Sequence, residues 1–144
     1  KSLGAFATGV TIITINSKNE YIGKTVNSFA SLSLRPPLVL FSLDLKSSSL
    51  KKYFSSKYLG INILSKNQKG LSDHFSQKQP KWNNTSYFLS KNNIPMIKNS
   101  TSNLNCKKIK TIKQGDHLIF ICEVTQINLD ITKKPLIYLN SKYI

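Results

Sequence analysis

Short runs of β-branched and aliphatic residues, each closed off by turn-forming residues, constrain this chain more than any other feature. Residues 10–15 read VTIITI, 38–43 read LVLFSL and 58–64 read YLGINIL, and each has the length and make-up of a strand with at least one buried face. Residues 16–20 (NSKNE) form a turn by composition, so 10–15 and 21–26 are expected to pair as a hairpin. Residues 102–112, 117–128 and 135–139 supply the last strands. The middle one is long and alternating, and Gly115-Asp116 turns the first pair. Pro36 and Pro37 belong at the entrance of a strand, because proline cannot donate to a ladder.

Helical signals are few and short. Residues 2–8 read as the end of a helix with Leu3 and Phe6 on one side, stopped by Gly9 in a left-handed conformation. Ser47, Ser48 and Ser49 precede Leu50, Tyr53 and Phe54, which share a helical face. These serines either cap the helix or receive an anion at its free N–H groups, and local grounds favour capping. Residues 65–75 suggest a second short helix, weakened by Gly70. From 76 to 101 the chain is polar and broken by Pro80 and Pro95, so it reads as a loop excursion; Phe75, Trp82, Tyr87 and Phe88 anchor it to the core or cover a pocket. The sum is a mainly β chain of about six or seven strands with short helices, a barrel or a sandwich.

At 144 residues the chain is expected to form one domain, residues 1–144. No apolar stretch approaches the ~20 residues needed to span a bilayer, which argues against a membrane protein. The sequence starts at Lys1, partway into the apparent helix, and further N-terminal residues are expected to precede it. The net charge of +15 raises the question of a polyanion. However, Arg35 is the only arginine, and the lysines are scattered among Asn, Ser and Ile instead of forming a block. Nucleic acid is therefore disfavoured as a partner. Cys106 and Cys122 stand alone, Cys122 in an alternating core-like run, and neither His74 nor His117 has a second ligand three or four residues away. No metal site is expected, and the lone cysteines point to a reducing, cytoplasmic setting.

Residues 23–29 (GKTVNSF) place small polar groups between two strands and form the natural centre of a site. Thr25, Asn27 and Ser28 offer hydroxyls, an amide and main-chain groups; a polar strand edge with a turn explains them equally well. Gly23-Lys24-Thr25 is not a nucleotide-binding P-loop, since Lys18 stands where the first glycine is required.

The ordered blocks GAFATGVTIIT, GKTVNSFASLSLRPPLVLFSLD, SSS before a helix, GINIL, GDHLIFICEV and PLIYLNSKY resemble the flavin reductase family of FMN-binding split barrels. These are the reductase components of two-component flavin-dependent monooxygenases. The resemblance runs along nearly the whole chain. It implies a homodimeric, Greek-key-like split β-barrel that binds FMN or FAD, takes hydride from NADH or NADPH, and supplies reduced flavin to a partner monooxygenase. By that resemblance Thr25, Val26, Asn27 and Ser28 line the flavin, Ser42 and Leu43 lie against its ring, and Ser48 and Ser49 receive its phosphate. His117, within Gly115-Asp116-His117, is then the nicotinamide-binding residue, acting by positioning more than by proton transfer. Lys78 and Lys81 are candidates for a phosphate, and Tyr138 for an aromatic beside the site. Three departures from the family pattern are Lys24, where an apolar residue is common, Asn27, where a serine is common, and Ser141-Lys142, near which an arginine is usual. The competing readings are a flavin-binding module without turnover and a basic nucleic-acid-binding barrel.

Overall fold

A computed structural model describes all 144 residues. In chain order the elements are β1 (Thr8–Gly9), β2 (Thr11–Ser17), β3 (Glu20–Val26), β4 (Ala30–Ser33), β5 (Leu38–Asp44), α1 (Leu50–Ser55) and β6 (Tyr58–Ile63). They continue with α2 (Lys69–His74), β7 (Tyr87–Leu89), β8 (Pro95–Ile97), β9 (Ser102–Gln114), β10 (His117–Leu129), β11 (Ile137–Leu139) and β12 (Lys142–Tyr143). The main sheet is antiparallel, in the order β3-β2-β6-β9-β10-β5-β4. It curls until β3 comes alongside β5 without pairing to it, which leaves a barrel open along one seam. No helix is long and apolar enough to cross a membrane.

Local chemistry explains the hairpins. Lys18 and Asn19, between β2 and β3, both have positive φ (52° and 69°), as a two-residue hairpin loop requires, and the Asn19 N–H donates to Asn16 Oδ1 at 2.8 Å. Gly115 supplies the left-handed residue (φ 62°) that turns β9 into β10.

The two-residue alternation of β2 divides the core in two. Ile13 and Ile15 face the barrel interior with Phe41, Leu43, Tyr53, Leu59, Ile61 and Phe120, whereas Val10 and Ile12 face a second cluster with Leu64, Phe75, Ile97 and Leu136. Phe41 and Phe120 stack at 4.8 Å in the interior. Cys106 and Cys122 lie in the same cluster, and burial pushes the Cys122 thiol up to about 12, so both act as small apolar residues.

Several sequence expectations need correction. The N-terminal helix is only a 3-10 turn at Leu3–Ala5, and Gly9 is not left-handed but lies in β1, paired with Ile137. Residues 76–101 are not a structureless loop, because β7 and β8 form a hairpin whose Met96 and Ile97 are buried. β4 escaped notice because its sequence, ASLS, has almost no strand bias of its own; it exists by pairing with β5.

Asn62, the awkward polar residue of β6, is fully buried and is the polar hub between the two clusters. Its Nδ2 donates to Ile12 O and Thr14 Oγ1, and its Oδ1 accepts from the Ile97 N–H and from Asn103 Nδ2. Asn62→Leu, which strands these partners, is expected to cost about 2–4 kcal/mol. Urea unfolding measures it, and an unchanged midpoint would show that the hub is dispensable.

Candidate functional site

Alternation along β3 sends the polar stretch to two faces at once. Ile22 and Val26 pack against the barrel core, and Lys24 lies between them on that side; Gly23 and Thr25 turn towards α2. A Cβ at Gly23 would approach the Phe75 ring to 2.8 and 2.9 Å and Trp82 to 3.2 Å, so only glycine lets the aromatic pair lie flat on the strand. Thr25 completes the attachment. Its Oγ1 donates to Ser72 O at 2.7 Å, and its N–H donates to Phe75 O at 3.1 Å.

With β3 so fixed, a polar pocket of about 240 Å³ opens between Gly23 and Lys24, Ser48 and Ser49 ahead of α1, and Gln77 and Gln79. Ser49 adopts a left-handed conformation (φ 64°) and makes no side-chain cap bond, so the capping expectation is not met. Lys52 at the pocket wall is paired with Glu20 at 2.5 Å, whereas Lys24 makes no ion pair. Burial lowers the Lys24 ammonium from its ordinary value, and Asp44 across the seam offsets part of that. The pocket thus brings a half-buried ammonium without an ion pair together with hydroxyls and carboxamides, and with the Glu20 carboxylate that Lys52 neutralises.

The other candidates fall into two groups. Thr25, Val26, Asn27 and Tyr138 line a shallow cleft of about 180 Å³ with Ser72 and Tyr143. There the Asn27 side chain is exposed, and Tyr138 lies edge-on to Tyr143 at 5.3 Å. Ser28 and Ser42 instead lock together, Ser28 Oγ donating to Ser42 O at 2.9 Å and accepting from its N–H at 3.0 Å. Leu43 buries its side chain in the barrel, which leaves only its main chain for a ligand. At the end of β5, Asp44 pairs across to His117, whose Nδ1 meets Asp116 Oδ1 at 2.8 Å. That contact holds the Asp116 carboxyl below the usual carboxylate range and leaves Nε2 as the ring nitrogen free for a ligand.

Lys78 and Lys81 are exposed and line neither pocket; the main chain of Lys81 is engaged, its carbonyl accepting from His74 Nε2 at 2.6 Å. Sequence reasoning missed Gln77, Gln79 and the Ser72–Tyr143–Asp73 chain, in which Tyr143 Oη meets Ser72 Oγ at 2.6 Å and donates to Asp73 at 3.0 Å. Nothing local marks these residues, since tertiary folding alone brings them to the site.

An antiparallel barrel open along one seam is a split barrel. Comparison with known proteins makes the class specific: residues 3–144 match the flavin reductase like domain, and the chain belongs to that family. It is 36% identical over 123 residues to the FMN reductase (NADH) SmoA of Agrobacterium fabrum, covering 85% of this chain and 71% of that one. It is 31% identical over 144 residues to HsaB of Mycobacterium tuberculosis, the reductase subunit of a flavin-dependent monooxygenase, covering 98% and 77%. The solved flavin reductase PheA2 superposes with a TM-score of 0.91 at 36% identity, covering 99% and 92%. Two further matches are longer proteins, of which this chain spans 40% and 50%.

The lowered Lys24 value fixes a sign. Below it both folded and unfolded chains carry the proton and the burial cost is present in full; between it and 10.5 the unfolded chain binds more protons, so stability rises with pH. Lys24→Met is expected to raise the urea midpoint at neutral pH and to flatten that alkaline rise. An unchanged midpoint and slope would show that Lys24 is fully solvated.

Proposed function

We infer that this protein is an NAD(P)H-dependent flavin reductase that binds FMN or FAD and supplies reduced flavin to a partner monooxygenase. The pocket around Lys24 carries the reading, because it joins an unpaired ammonium to Ser48 and Ser49 at the seam of a flavin reductase barrel.

When bound, the flavin is the two-electron acceptor for a hydride from the dihydronicotinamide. The chain's own residues bind and orient. Lys24, Ser48 and Ser49 hold the phosphate, with the exposed Lys78 and Lys81 as supplementary cations on the neighbouring loop. Asn27 meets the polar edge of the ring system from the cleft that Thr25 and Val26 line, and the Ser28–Ser42 lock with the Leu43 main chain keeps β5 against it. Tyr138 closes the cleft beside Asn27. His117, oriented by Asp116, positions the nicotinamide, which accelerates transfer by fixing approach and not by moving a proton.

Exposed Leu3, Phe6 and Leu34 support a homodimer, and the two buried free thiols suit the cytoplasm. NADH is the first donor to test. Purified protein with FMN is expected to oxidise NADH. His117→Ala is expected to raise the KM for NADH about tenfold while sparing flavin affinity, and Lys24→Met to weaken FMN binding about tenfold. Steady-state absorbance assays and FMN titrations measure these effects. Flavin bound yet inert to NADH and NADPH would make the protein a carrier and overturn the reductase reading.

A further inference from the structure

β10 runs on past its partner β5. The two pair only from His117 to Glu123, after which the Val124 N–H donates to Pro37 O at 2.9 Å. Beyond the irregularity between Val124 and Gln126, β9 holds one side of β10 as far as Leu129, and no strand holds the other. The Asp130 N–H donates towards β9, to Thr101 O at 2.9 Å. By the alternation of an antiparallel ladder, the N–H and C=O groups of Ile127 and Leu129 therefore point outward. Their side chains are 61% and 60% exposed.

The sheet's other edges are protected. On β3, Phe75 accepts from the Thr25 N–H and with Trp82 covers Gly23. β4 is four residues long, irregular in register, and runs into Pro36 and Pro37. A bare apolar edge is what natural sheets avoid unless a further strand completes it.

A cleft of about 500 Å³ lies beside this edge, between the β7–β8 hairpin and the ends of β9 and β10. In it stands Asn105, only 2% exposed; its Nδ2 is engaged by Asn92 and Thr125, but its Oδ1 has no partner. Gln126 and Asn128 add carboxamides, Asn103 being committed to Asn62, Ile97 and Asn128, and Phe88 and Met96 add apolar wall. A second cleft of about 590 Å³ continues the first, sharing Phe88, Asn103 and Asn128. Lys91 and Lys98 stand along the two clefts without an acidic partner, while Lys133 is held at 3.9 Å from Asp130.

Carboxamides match peptide groups donor for acceptor, an open strand edge offers the main-chain ladder, and unpaired lysines favour carboxylates. We propose that the Ile127–Leu129 edge of β10 and its adjoining clefts form a docking surface for an extended, acidic segment of a partner protein, which adds to the sheet as a strand. The clefts share no residue with the Lys24 pocket. Along β10 they lie roughly 30 Å from His117, so the proposal does not rest on the reductase reading.

Fluorescence anisotropy tests it, using a labelled peptide of about ten residues that alternates glutamate and valine, with a lysine-valine counterpart. The acidic peptide alone is expected to bind saturably and to weaken with salt. Ile127→Pro removes an outward N–H at a position where an edge tolerates proline, and is expected to weaken binding about tenfold with the thermal melt retained. Lys91→Glu/Lys98→Glu, which alters no side-chain hydrogen bond of the fold, is expected to do the same and carries the test if the proline variant does not fold. Equal binding of both peptides, binding of neither, or undiminished binding by the folded variants overturns the proposal. Dissociation of a wild-type dimer by Ile127→Pro in sedimentation also overturns it, because a second copy would then be the occupant.

Discussion

The contact between a strand that lacks a side chain and the aromatic ring laid across it underlies the rest of the site. Gly23 lets Phe75 and Trp82 lie on β3, and Thr25 pins the same strand to the end of α2 with its hydroxyl and its N–H. Two results follow from this. The free edge of β3 is bonded at Thr25 and covered at Gly23 without a neighbouring strand, so the barrel can stay open at its seam. The chain leaving α2 is also held where Gln77 and Gln79 complete the pocket that Lys24 enters from the strand.

Framework and ligand divide the polar groups of the seam between them. Thr25 and Ser28 look like ligand residues, yet their hydroxyls are committed to Ser72 and to the Ser42 main chain. What remains free is the Lys24 ammonium, the Asn27 side chain, the serines ahead of α1 and the outer nitrogen of His117. The same locks hold β5 in place, and β5 delivers Asp44 to His117 at one end and tempers Lys24 across the seam.

Much of this was legible in the sequence where chemistry is local. VTIITI, LVLFSL and YLGINIL fall in β2, β5 and β6, and Gly115-Asp116 turns the longest hairpin as its composition requires. The ordered blocks named the family that residues 3–144 match. What stayed hidden is what long-range pairing creates. β4 has no strand preference of its own, β7 and β8 lie in a polar stretch, and Gly9 looks like a helix stop until it pairs with Ile137. The sequence likewise could not show that the Thr25 and Ser28 hydroxyls were already spoken for, since their partners are 47 and 14 residues away.

Trp82, the only tryptophan, sits against Phe75, Tyr21 and Tyr87 on the loop that covers β3, so its emission reports on the seam itself. Titration with FMN under anaerobic conditions, followed by NADH, tests the central claim most directly. Saturable quenching of Trp82, then bleaching of the flavin band on adding NADH, is the expected result. A folded protein whose Trp82 emission ignores FMN, and whose presence leaves the flavin band unchanged by NADH or NADPH, would contradict the account.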